Sequence, residues 1–154
     1  MELKIFSRKT AEEIISEGVK NSAAVISFFT PERSCSPAWQ TVCERLFCVG
    51  VPDIDIEILA DYGYSYESYL SDAHELAEFI YDALNAGCEI ICQCDYGQSR
   101  SAACAAAILQ HFEGRGIDIF ADYRYYPNQL VYHKVFDALE KYKSGQTLAH
   151  RENM

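Results

Sequence analysis

One stretch limits what this chain can become. Residues 89–109 read EIICQCDYGQSRSAACAAAIL. The stretch opens as a short apolar run, the pattern of a buried strand over 89–93. It closes alanine-rich, with high helix propensity. Between the two lies Cys94-Asp95-Tyr96-Gly97-Gln98-Ser99-Arg100. A strand that passes through a tight, glycine-containing loop into a helix N-terminus gathers backbone N–H groups and the positive end of a helix dipole at one point. That is an anion site. Arg100 adds a planar fork that matches phosphate oxygens. A cysteine held there favours its thiolate and is nucleophilic at neutral pH. The spacing therefore predicts a phosphate cradle formed by Asp95, Tyr96, Gly97, Gln98, Ser99 and Arg100, with Cys94 as the attacking group.

Strands and helices alternate along the rest of the chain. Leu3 to Phe6 reads as a strand. Thr10 caps a helix to about Glu17, with Glu13 completing a capping box and Gly18 ending it. Ala23 to Phe29 is a buried strand, and Thr30 to Pro37, with two prolines, is a loop. Pro37 to Phe47 reads as a short helix, with Trp39 packed in the core. In Val51 to Leu59, Ile54, Ile56 and Ile58 alternate with Asp53, Asp55 and Glu57, which predicts a half-buried strand with one acidic face. A loop at 61–64 leads into a long helix from Ser65 or Ser68 to Asn85, closed by Gly87. The helix after the Cys94 loop reaches about Phe112. Residues 117–126 form a short helix or an irregular segment, and Pro127-Asn128 opens a last helix to about Lys143.

This order predicts an α/β fold, a single-domain layer structure with a central, mostly parallel sheet flanked by helices. The body spans 1–143 and residues 144–154 form a polar tail. Sites in such folds lie beyond the carboxyl ends of strands. Cys94 meets that rule after strand 89–93, and Asp61 meets it after the strand at 54–59.

Charge and cysteine usage narrow the function. The 154 residues carry a net charge of −10, which disfavours nucleic acid and anionic membranes as partners. No apolar run approaches the roughly 20 residues of a membrane span, and residues 1–10 lack the apolar segment of a signal peptide. The cysteines number seven. An odd count with no secretory signal favours free thiols in a reducing, cytoplasmic compartment. No Cys-x2-Cys pair and no histidine spacing points to a metal, and no cofactor is expected. His74, His111, His133 and His150 read as surface residues. Cys92 shares a strand face with Cys94. It is either a small buried hydrophobe or, like Cys88, a redox partner for Cys94. Tyr62, Tyr64, Tyr66 and Tyr69 form an aromatic wall for a substrate ring or pack the fold.

Residues 93–101, QCDYGQSRS, resemble the signature of the cysteine-dependent protein tyrosine phosphatases. The Gly97 spacing and the Ser99-Arg100-Ser101 ending look most like the small dual-specificity group, bacterial members included. The resemblance extends weakly over about 51–142; the first fifty residues share only element order. The loop's position at 94 and the absence of an Asp-Pro pair set the chain apart from the low-molecular-weight tyrosine phosphatases. The Gly97 and Ser99-Arg100-Ser101 pattern sets it apart from rhodanese-type domains. Three residues depart from the family pattern. Gln93 stands where the family usually has His, and it can hydrogen-bond but not carry charge. Tyr96 replaces a small residue. Asp95 adds a negative charge inside the loop, with its side chain expected to point outward.

The resemblance implies hydrolysis of phosphorylated protein or peptide through a phospho-cysteine intermediate. It gives Ser101 the task of helping the thiolate leave. The leaving oxygen needs a proton, so a carboxylic acid should face the loop. Asp61, on a loop 33 residues before Cys94, is the expected acid, with Asp53 and Asp55 as rivals. Asn128 is expected to cap the last helix and to brace the loop.

Overall fold

The strand ahead of the Cys94 loop lies in the interior of the sheet. The computed structural model describes residues 1–17, 23–33, 39 and 43–152. Strands β1 (Leu3–Ser7), β2 (Ala23–Phe29), β3 (Arg45–Gly50) and β4 (Glu89–Cys94) form one sheet in the order β1-β4-β2-β3. All three strand pairings are parallel. Strand β4 lies between β1 and β2, so Cys92 pairs with Ile5 on one side and Ile26 on the other. Every residue of β4 is buried, as a parallel strand covered on both faces should be.

Among the described residues five α-helices follow or cover these strands: α1 (Arg8–Glu17), α2 (Ala73–Asn85), α3 (Arg100–Glu113), α4 (Ile117–Phe120) and α5 (Gln129–Glu152). The period of two along β4 divides the apolar side chains into two cores. Ile90, Cys92 and Cys94 face the larger one, with Leu76, Ile80, Ala103, Ile108, Val135 and Leu139. Ile91 faces a smaller one with Ala11, Val25 and Trp39, so Trp39 is a core residue as expected. Helix α3 is buried continuously from Arg100 to Ile108. Its alanines lose no side-chain entropy and keep the helix thin enough to fit between the sheet and α5. No helix among the described residues is long and apolar enough to cross a membrane.

The α/β layer fold is the expected one, and five local readings change. Helix α1 starts at Arg8, because Ser7 and not Thr10 is its cap: the Ser7 hydroxyl accepts the Thr10 N–H at 3.1 Å. The expected helix over 37–47 gives way to strand β3 at Arg45. The rest of that helix (37, 38 and 40–42), Gly18 and the end of the 30–37 loop lie outside the described residues. The alternating segment 51–59 is not a strand. The sheet ends at Gly50, and Ile56–Ile58 and Ala60–Tyr62 form 3-10 turns. Pro52 has no N–H to give a ladder, and the Asp55 carboxylate accepts the Glu57 N–H at 3.2 Å, which closes a turn instead. Helix α2 begins at Ala73, later than expected. Leu70 precedes it in the left-handed region at φ 52° while fully buried, and no helix continues through that conformation. At the other end, α5 runs past Lys143 to Glu152.

Candidate active site

The Cys94 loop closes because Gly97 sits where only glycine fits. Its φ is +69°, and a Cβ there would meet the Ser7 nitrogen at 2.6 Å and the Phe6 carbonyl carbon at 2.8 Å. The loop is thus pressed against the end of β1. The Arg8 N–H fastens the contact by donating to the Asp95 carbonyl at 3.1 Å. Inside the loop the Cys94 sulfur is buried. It lies 3.0 Å from the Ser101 hydroxyl and accepts the Gly97 N–H at 3.3 Å. These are the contacts that stabilise a sulfur anion.

Arg100 opens α3 beneath the loop with its side chain only 5% exposed. Its Nη1 donates to the Val51 carbonyl at 2.8 Å and to the Thr30 hydroxyl at 3.4 Å. Its Nη2 reaches the Asp95 carboxylate at 3.4 Å. Its Nε is buried and has no partner among the described residues. A buried guanidinium N–H left unpaired is costly, and an oxyanion in the loop would satisfy it. Asp95 does not point outward as expected. Its carboxylate is 14% exposed, accepts the Thr30 hydroxyl at 3.4 Å and lies 3.9 Å from Arg33. Attraction to two guanidinium groups turns it inward. Tyr96 stands clear of the loop at 81% exposed.

The carboxylate brought to the loop is Asp53. Its Oδ1 accepts the Ser99 hydroxyl at 2.7 Å and the Asn128 amide at 2.8 Å. Asn128 is buried and ties three pieces together. It also donates to the Ile54 carbonyl at 2.8 Å, and its side-chain oxygen accepts the Val131 N–H at 2.9 Å, capping α5. Asp61 lies in the second 3-10 turn with an exposed side chain and makes no hydrogen bond to the loop among the described residues. Asp55 is engaged in capping its turn. With β3 ending at Gly50, Asp53 is the first carboxylate beyond that strand's carboxyl end.

The supporting residues divide cleanly. Gln93 points to the smaller-core side, where it accepts the Ser27 hydroxyl at 2.5 Å and donates to the Cys94 carbonyl at 2.9 Å. It holds the Cys94 backbone without contributing charge. Cys92 hydrogen-bonds Cys104, and that bond together with complete burial pushes its thiol well above the ordinary 9.0. Cys88 immediately precedes β4, at the opposite end of that strand from Cys94 and about 20 Å from it along an extended chain. Cys43, Cys88, Cys92, Cys94 and Cys104 are free thiols. Cys48, half-buried on the edge strand β3, is disulfide-bonded, against the expectation of free thiols throughout. Tyr69 is core: its hydroxyl donates to the Pro52 carbonyl at 2.8 Å, and burial, then the Asp53 charge, push its phenol up. Tyr64 packs edge-on against it. Tyr62 is exposed, while Tyr66 donates to Asp137 at 2.9 Å beside the site. His111 is not a surface residue. Its side chain is 1% exposed, held between Glu140 at 2.8 Å and the Tyr81 hydroxyl at 2.5 Å, because α2, α3 and α5 converge there.

No family model matches the sequence, and no curated protein matches it. Solved structures match the backbone along nearly its whole length. Human DUSP28 aligns with a TM-score of 0.57 at 18% identity, over 93% of this chain and 94% of that one. PTPMT1, in a complex with PI(5)P, aligns with a TM-score of 0.59 at 12% identity, over 94% of each chain. Human tyrosine phosphatase-like serine/threonine/tyrosine-interacting protein aligns with a TM-score of 0.55 at 18% identity, over 92% of this chain and 87% of that one. The chain therefore has the fold of the cysteine-dependent protein tyrosine phosphatase superfamily, in its small, dual-specificity-like form.

Proposed function

We propose that this chain is a phosphatase that hydrolyses phosphate monoesters on protein, phosphotyrosine first and phosphoserine or phosphothreonine beside it, through a phospho-cysteine on Cys94. One observation carries the reading: the buried Cys94 sulfur, hydrogen-bonded to Ser101 and the Gly97 N–H, shares its loop with a buried Arg100 whose Nε has no partner among the described residues. The sulfur attacks phosphorus. As the S–P bond forms, the P–O bond to the substrate breaks, and the leaving oxygen takes a proton from a carboxylic acid. We assign that acid to Asp53 in place of Asp61. Both of its bonds fall on Oδ1, which leaves Oδ2 to carry the proton. Water then attacks the phospho-cysteine and gives its proton to the same carboxylate. The S–P bond breaks, the Ser101 hydroxyl receives the departing thiolate, and inorganic phosphate leaves. Arg100 and the loop amides hold the charge that builds on the phosphoryl oxygens; each such donor is worth about 3 kcal/mol of barrier. The five free thiols support the reducing, cytoplasmic setting expected from the sequence, and the disulfide at Cys48 stands against it.

Two other readings have specific support. The PI(5)P complex of PTPMT1 suggests a phosphoinositide substrate, against which stand the net charge of −10 and a loop without lysine. A phosphopeptide-binding module without turnover would use the same loop. The deciding measurement is turnover of an aryl phosphate in chelator. The unmodified protein should hydrolyse it and Cys94→Ser should not. Absent turnover with tight phosphopeptide binding would favour the module.

A further inference from the structure

We propose that the cleft beside the phosphate loop receives basic side chains flanking the phosphorylated residue, so that the substrate is a phosphopeptide with arginine or lysine next to the phosphate. The inference rests on the phosphatase reading and names its substrate class.

A cavity of about 690 Å³ opens against the loop, and Asp53, Ser99 and Asn128 form the wall the two share. At that end the loop holds the buried, unpaired Nε of Arg100, which calls for the phosphoryl group itself. A peptide anchored there carries its neighbouring residues across the adjoining cleft. The far walls bear Asp55, Glu57 and Asp137. Asp137 is held by the Tyr66 hydroxyl, while Asp55 and Glu57 are exposed. Among the described residues no lysine or arginine lines the cleft, though His133 lies in its wall. Lys134 stands beside Asp137, with its ammonium on the Tyr66 carbonyl at 2.8 Å and 4.6 Å over the Tyr66 ring, and offsets part of that one charge. With Asp53, four acidic side chains therefore line the cleft, and Asp55 and Glu57 face it with no lysine or arginine of the described residues in its lining. Carboxylates lining a cleft suit a guanidinium, whose planar fork pairs with them. A phosphoinositide, with anionic groups on each side of its scissile phosphate, would meet like charge along the same walls.

The test compares two phosphotyrosine peptides, one flanked by arginine and one by glutamate, with p-nitrophenyl phosphate as the reference in the same preparation. Exposed ion pairs each change binding about 1.5- to 5-fold, so three together predict a preference of about tenfold in kcat/KM for the arginine peptide, shrinking as salt is raised. In a variant combining Asp55→Asn, Glu57→Gln and Asp137→Asn the ratio should fall to within threefold. The same ratio, read as binding affinity on Cys94→Ser protein, does not depend on turnover. Equal or better handling of the glutamate peptide, or a ratio that survives the triple variant, overturns the inference. So does faster hydrolysis of phosphoinositide vesicles than of either peptide. Absence of p-nitrophenyl phosphate turnover overturns the phosphatase reading, and the binding ratio then decides the inference by itself.

Discussion

Gly97→Ala separates two reasons for a glycine, and the structure supplies its own control. Gly97 and Gly63 both have positive φ, +69° and +81°. An alanine pays about 1–2 kcal/mol for that conformation at either place. At Gly63 the added methyl meets nothing within 4 Å, so the conformational cost is the whole cost. At Gly97 the methyl would sit 2.6 Å from the Ser7 nitrogen and 2.8 Å from the Phe6 carbonyl carbon, both backbone atoms that cannot rotate aside. Ordinary contact begins at 3.4 Å, so β1 and the loop must part by about 0.8 Å, an overpacking cost of about 1–3 kcal/mol. Gly97→Ala should therefore lose about 2–5 kcal/mol in urea unfolding, against about 1–2 kcal/mol for Gly63→Ala. It should also lower kcat/KM on an aryl phosphate at least 100-fold, because the displaced segment carries the N–H that faces the Cys94 sulfur. If Gly97→Ala matches Gly63→Ala within 0.5 kcal/mol and keeps activity within threefold, the close approach of β1 does not shape the loop.

The acid and the buried thiol give two further tests. Asp53→Asn should slow hydrolysis of an alkyl phosphate, a poor leaving group, by about 100-fold or more, and slow that of an activated aryl ester much less. Asp61→Asn should change neither by more than threefold; the opposite pattern would return the acid to Asp61. Cys92, with its thiol pushed well above the ordinary 9.0, stays protonated in the fold while the unfolded chain ionises. Its contribution to stability is complete below pH 9 and is lost as pH rises toward the folded value. Urea midpoints should fall between pH 8 and pH 10.5, and Cys92→Ala should fall less steeply over that range even though its midpoint at pH 7 is lower.

The parts of this fold that were legible in sequence are those where one residue class has one use. The run 89–93, the glycine at 97 and the alanines after 101 can scarcely form anything but strand, loop and helix, so the cradle was readable. The segment after β3 was not. Its isoleucines and acids alternate as a strand would, yet Pro52 removes a donor and Asp55 closes a turn, and period alone does not rank those effects. That reading put Asp53 inside a strand and Asp61 just beyond its end. Leu70 is harder still, since nothing about a leucine announces a left-handed conformation; the surrounding core imposes it. Ser7 and Thr10 are equally good caps on paper, and only the length of β1 chooses between them.

The strand order has a consequence for how the chain is made. Strand β4 fills the gap between β1 and β2, so the two N-terminal strands have no sheet contact until residues 89–94 arrive. A nascent chain leaves the ribosome N-terminus first, and before residue 89 is made β2 can pair only with β3 among these four strands. The edge of β2 stays open for that time, a surface that invites wrong partners. The insertion that closes this edge also brings Ser7 against the loop and sets Cys94 in place. The Cys94 loop is thus completed late, by the same event that covers the open edge of β2.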